Sequence, residues 1–358
     1  MSTVQRFPCV QCGANLEFNP GSTTMRCPYC GTEQAIAPPV MTVQERDMLQ
    51  ALALEHSRTA VDTDSAVHCN SCAAEFSVPS TVEATSCPFC GSNVIVEAPP
   101  ESRILPDAVL PFVVDLKGMR DRYRQWISSR FWAPNDLKKR ALQKNEVKGI
   151  YVPFWTYDAF TTTDYQGMRG EDYYETETYR DSNGNTQTRS VRKTHWYPAS
   201  GRVEVPFDDV LVIGTTHLPP KYADNMKTWR LDQIRPYDAS YLSGFHGLRY
   251  DINLEQGYSM AQRKMEPIID QAIRYDIGGD RQQITWKNTE YFNLTFKHVL
   301  LPIWSGAYRY KNRVWHFFVN GQTGEVQGEA PISPWKVALA VLLGLIIIGT
   351  FIYFADKS

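Results

Sequence analysis

After residue 90 the chain has no cysteine, and in its first hundred residues it has no lysine. The first absence excludes disulfide cross-links from the larger C-terminal part. The second argues against a phosphate-binding surface near the N-terminus, because nucleic-acid affinity rests on Lys and Arg. Residues 1–100 hold only Arg6, Arg26, Arg46 and Arg58 against ten Asp and Glu, so four minus ten leaves minus six. Catalytic signatures are missing as well. No Gly-x₄-Gly-Lys-Ser/Thr loop, His-Glu-x-x-His pair or Gly-x-Ser-x-Gly elbow occurs, which excludes the common P-loop, zincin and nucleophile-elbow chemistries. His195, His217, His246, His298 and His316 are scattered without ligand spacing. No enzyme activity and no catalytic residue is expected. The opening "MSTVQRFPCVQC" lacks an apolar core, so no cleavable signal peptide is expected.

What is present is a cysteine repeat. "CVQCGANLEFNPGSTTMRCPYCG" and "CNSCAAEFSVPSTVEATSCPFCG" align without a gap. They place Cys9, Cys12, Cys27 and Cys30 in one unit and Cys69, Cys72, Cys87 and Cys90 in the other. A Cys-x-x-Cys turn aims two sulfurs at one point, and two such turns make a tetrahedral S₄ site. Disulfides are the alternative, but four regular pairs have the spacing of metal knuckles. Rubredoxin-type iron also uses Cys-Pro-x-Cys-Gly, with knuckles farther apart in sequence. The compact spacing points to zinc ribbons, with two structural Zn2+ ions and no open coordination position. His68 precedes Cys69 and is read as a bystander beside four thiolates. Gly31 and Gly91 supply the left-handed backbone that a knuckle needs. Metal-holding thiolates require a reducing compartment.

The chain divides by composition and period. Ribbon 1 covers residues 1–37, a helical linker 38–66 and ribbon 2 residues 67–98. In the linker, Thr42 and Glu45 have the spacing of a capping box. Residues 99–148 form a Pro-rich linker and a basic helical segment, in which 101–150 carry eleven Lys/Arg against six Asp/Glu. From 149 to 331 the period becomes two, predicting a β-rich α+β domain with a projecting hairpin around "SNGN". Within it, "NLEQGYSMAQRKMEPIIDQAIRYDIGG" predicts a helix kinked or broken at Pro267. "WKVALAVLLGLIIIGTFIYF", residues 335–354, is apolar for about 30 Å of helix and predicts a transmembrane helix, followed by a short tail, 355–358. The expected fold class is therefore α+β: two tandem four-cysteine zinc ribbons, a helical segment, a β-rich domain with helices and one C-terminal transmembrane helix. The expected location is the inner (cytoplasmic) membrane, single-pass, with the bulk facing the cytosol, where thiolates stay reduced.

The paired ribbons, "FWAPNDLKKRA", "GIYVPFWTYDA", "THWYPASGRV", "FDDVLV", "YLSGF", "FKHVLLPIW" and "FVNGQTGEVQGE" resemble a bacterial family across nearly the whole length. Its members are described as "primosomal protein N′ (replication factor Y), superfamily II helicase" or "TFIIB-type zinc ribbon protein". Helicase activity does not carry over, because this chain has no nucleotide-binding motif. The architecture is also similar to double-ribbon, tail-anchored proteins of phage-shock-type membrane-stress operons. That resemblance implies an adaptor with SPFH-type, TPM-domain or PspA-like neighbours as partners, and a lipid bilayer contacted through 335–354. Charge argues against nucleic acid as a partner. The alternative function is a nucleic-acid-associated, primosomal-type replication factor without helicase activity.

Overall fold

A computed structural model describes residues 7–38, 42–56, 65–68, 75–78, 82–86, 93–95, 104–137, 147–180, 184–311 and 313–355. Three short strands open the chain: β1 (Glu17–Phe18), β2 (Thr24–Arg26) and β3 (Glu33–Ala35). Strand β4 (Arg46–Asp47) leads directly into α1 (Met48–His56). Then come β5 (Ser65–His68), β6 (Glu75–Val78), β7 (Val82–Ser86), β8 (Asn93–Ile95) and β9 (Ala108–Val109). After α2 (Leu116–Ser129) follow two very long strands, β10 (Val147–Arg180) and β11 (Thr186–Ile213). Helix α3 (Pro220–Asn225), β12 (Arg235–Pro236), β13 (His246–Leu248) and α4 (Leu254–Ile277) precede β14 (Arg281–Tyr310). The chain closes with β15 (Arg313–Asn320), β16 (Val326–Gly328) and α5 (Pro334–Ala355).

The antiparallel pair β10–β14 is the spine. On its β10 side lie β11 and, near Ile150, the parallel strand β13, which carries β7 and β8. On the β14 side lie β4, β9 and β15, with β16 beyond β15. "GIYVPFWTYDA" is an unbroken apolar run because this part of β10 is covered on both faces. One face packs α4, whose Leu254, Gly257, Ala261, Met265, Ile269, Ile273 and Ile277 form a buried stripe at helical spacing. Trp155 Nε1 and Tyr157 Oη donate to Ile252 O and Leu254 O, at 2.9 and 2.8 Å, pinning the start of that helix. Gly257 is needed there, since a Cβ would stand 2.4 Å from Tyr157 Oη. The opposite face, with Val152 and Phe154, packs α3 through Tyr222 and Ala223, while α2 lies farther along the first face, its Met119, Tyr123 and Ile127 joining Tyr151 and Trp304, with Tyr123 stacked on Phe317 at 3.9 Å.

Several expectations are corrected. The α+β reading gives way to a mostly β molecule. The Thr/Tyr/Val-rich runs expected as separate strands continue unbroken through 34 residues of β10, 28 of β11 and 30 of β14. Bulges near Asp158 and at Gln166/Gly167 absorb the twist without ending the strands. The linker helix is not capped by Thr42. Asp47 Oδ1 accepts from Gln50 N at 2.8 Å, while Arg46–Asp47 pairs with Phe296–Thr295 of β14. Glu45 is drawn off to Lys297. Pro267 does not break α4, which runs continuously to its cap at Gly278, φ +67°.

The transmembrane helix is also corrected. Among the described residues no helix is long and apolar enough to cross a membrane, and the single-pass inner-membrane location falls with it. Helix α5 does form over this stretch, but its first turn is tied to the body. Ser333 N donates to Trp132 O at 2.8 Å, and Lys336 Nζ donates to Phe131 O and Ala133 O at 2.8 and 2.7 Å.

Candidate metal centre

In ribbon 1 each knuckle is closed by the same pair of backbone bonds. Gly13 N and Gly31 N donate to Cys9 O and Cys27 O, at 2.9 and 3.0 Å. Cys9 N and Cys27 N in turn donate to Ala14 O and Thr32 O, at 2.7 and 2.9 Å. Both turns need a left-handed residue after the second cysteine, and Gly13 (φ +73°) and Gly31 (φ +76°) provide it. The sequence reading found Gly31 and missed Gly13; the repeated Cys-Gly dipeptide was its signal.

The knuckles bring Cys9, Cys12, Cys27 and Cys30 together, their sulfurs all within 4.8 Å of one another. Cys9 and Cys30 sulfurs are 3.6 Å apart, and those of Cys12 and Cys27 3.5 Å. Sulfurs on a tetrahedron about 2.3 Å from a central ion would stand about 3.8 Å apart, so the four-cysteine cluster could hold one metal ion with little adjustment. Cys9 and Cys27 are buried, Cys12 and Cys30 exposed. The Thr32 hydroxyl, 3.1 Å from Cys30 Sγ, pulls that thiol down to about 6. Cys9 is lowered chiefly by the Cys12 N–H. At Cys12 the Ala14 N–H favours the thiolate, but the Cys27 and Cys30 sulfurs and burial outweigh it and push the thiol up to about 12. Four sulfurs sharing too little positive charge settle into thiolate at some positions and thiol at others, the arrangement a cation resolves. Cys69, Cys72, Cys87 and Cys90 lie outside the described residues.

Ribbon 1 is joined to the body. Phe18 N donates to Ser243 O at 2.9 Å, and Ser243 Oγ donates to Leu16 O at 2.5 Å. Gly21 N donates to Phe112 O at 2.9 Å, and the buried Phe18 ring sits edge-on to Tyr241 at 5.1 Å. The knuckle tips face outward: Val10 is 80% exposed and Tyr29 83%.

A second polar cluster escaped the sequence reading. The carboxylates of Glu45, Asp158 and Asp208 lie within 4.8 Å of one another. Beside them Lys297 Nζ stands 2.8 Å from Asp209, 3.1 Å from Glu45 and 3.7 Å from Asp158. Burial pushes Asp158 up to about 6 against the bond from Asp209 N. Burial opposes the charge of Lys297, but Asp209 and Glu45 raise its ammonium well above the usual range. With its own built-in cation, the cluster reads as a clamp between the linker and the sheet. No sequence signal joins residues so far apart. His298, fully buried, places Nδ1 3.1 Å from Ile104 O, and burial drives it down to about 4.

Among known proteins the chain is similar to YdjG of Bacillus subtilis (strain 168), itself described as uncharacterized. Identity is 25% over 244 residues, 66% of this chain and 66% of the relative. The chain thus matches just under two thirds of that relative's length. No family model matches the chain, and no solved structure does.

Proposed function

We propose that the chain is a zinc-ribbon adaptor, a binding scaffold without catalysis of its own. The observation that carries this is the outer face of ribbon 1. A sulfur site with all four positions taken by cysteine is flanked by two outward apolar side chains, Val10 and Tyr29, on a unit fixed to a rigid body. Exposed apolar groups held by a rigid base suit a protein partner. The acidic balance of residues 1–100 disfavours phosphate. Zinc is the metal the spacing favours, one ion in ribbon 1 and a second held by Cys69, Cys72, Cys87 and Cys90. SPFH-type, TPM-domain and PspA-like proteins are the partners to try first.

Elemental analysis of the full chain should give two zinc ions; one metal, or iron, counts against the double ribbon. Capture of a partner from lysate should be lost with Tyr29→Ala while zinc is retained. Sub-micromolar, salt-sensitive DNA binding would instead support the replication-factor reading.

A further inference from the structure

Strand β14 begins at Arg281, opposite Gly170, and past that point the β10–β11 hairpin continues alone. Helix α4 ends below the same level, where Tyr165 Oη donates to Asp276 at 2.5 Å. From Tyr173 to Arg180 and from Thr186 to Lys193 the hairpin is a two-stranded arm, about 27 Å long at about 3.4 Å per residue. Among the described residues no strand pairs with either outer edge of this arm.

The register fixes which backbone groups point outward. Pro198 and Pro206 lie inside β11 and have no N–H, so they occupy positions whose nitrogens face away from β10. Even-numbered residues of β11 therefore point their N–H and C=O groups to the open side. The partner strand agrees: Asp172 N donates to Asp280 Oδ2, and Gly170 O accepts from Asp280 N, both away from β11. The prolines guard only the half of β11 nearest the body. From Thr186 to Trp196 the outward positions carry no proline.

Charge divides between the strands. Glu171, Asp172, Glu175 and Glu177 lie on β10 against Arg180 at its tip, and β11 opposite them carries Arg189, Arg192 and Lys193 and no acid. Lys and Arg usually protect an edge by remaining unpaired. Here Lys193 Nζ is 2.6 Å from Glu175, Arg189 is 3.1 Å from Glu177 and Arg192 is 3.2 Å from Asp172. Opposite-sign neighbours across strands stabilise a pair and like signs destabilise it.

We propose that the arm is a self-assembly element: the open β11 edge of one chain pairs antiparallel with the open β10 edge of a second copy. Pairing β10 with β10, or β11 with β11, would set like charges against each other. Pairing β11 with β10 repeats across the contact the alternation already present within the arm. Such a contact is head-to-tail, so it builds a ring or a filament rather than a two-fold dimer. The prolines at 198 and 206 stop the pairing from running down toward the body.

Sedimentation velocity on the full chain tests this. Wild type should show a mass that rises over a roughly hundredfold concentration range, by mass action. It should fall toward the monomer between ~50 mM and ~500 mM salt. Ser190→Pro and Thr176→Pro each remove one outward N–H and leave the inward ladder intact, which circular dichroism checks. Each should weaken association at least tenfold. A monomer at every concentration overturns the proposal. So does association that both proline variants leave unchanged, or that grows with salt, since that would be apolar contact through the exposed leucines and isoleucines of α5.

Discussion

Ribbon 1 and the β body both hold antiparallel strands in register, by different means. In ribbon 1 the strands are two or three residues long, and its own buried apolar cluster is Cys9, Leu16, Met25 and Cys27. In the body the strands reach 34 residues, and whole aromatic side chains, Trp155, Tyr157 and Phe296 among them, are out of water. A unit with so little apolar area cannot offset its conformational entropy by burial alone. Its order must come from the sulfur site and from docking against Tyr241 and Ser243. The body needs neither. The difference teaches that loss of metal and loss of packing should fail in different places.

The largest effect should follow Cys27→Ala. Structural zinc sites contribute on the order of 10 kcal/mol to folding, so ribbon 1 should lose its amide protection and one metal while β10, β11 and β14 keep theirs. Collapse of the body as well, read by hydrogen exchange, would erase the distinction. Phe18→Ala attacks the joint between the regions and should cost about 3–4 kcal/mol, as for other buried aromatics. The metal should stay bound, with the protection of β1 and β2 falling.

His298 sharpens the body's side. Its ring is driven from 6.5 down to about 4, so its contribution to stability is present above about 6.5 and lost as pH falls through about 4. That amounts to at most about 3–4 kcal/mol at 1.36 kcal/mol per unit. In His298→Phe, urea unfolding should lose this acid-limb slope, whatever its absolute stability. Asp158 has the opposite sign. Raised from 3.8 to about 6, it contributes stability below about 3.8 that is lost as pH rises through about 6. Asp158→Asn should remove about 1 kcal/mol of that decline, the Lys297 ammonium beside the carboxylate offsetting part of the burial cost. Of similar size is the effect of Thr32→Ala, which should retain metal but weaken affinity in a competition titration by about tenfold.

The sequence by itself determined the knuckles. A Cys-x-x-Cys-Gly turn is closed by bonds spanning five residues, so spacing alone aims the sulfurs of Cys9, Cys12, Cys27 and Cys30. It also determined the apolar run of β10 and the buried stripe of α4, because period follows from local backbone geometry. Tertiary structure alone decided the rest. Glu45 reads as half of a capping box until Lys297, 252 residues away, claims its carboxylate. Pro267 reads as a break until α4 is held against the sheet along its whole length. The unbroken strands, the docking of Phe18 beside Tyr241 and the bare edges of the arm depend on which distant segments meet. Contacts of that range leave no period in the chain, because their free energy comes from burial and pairing that exist only once the fold has formed.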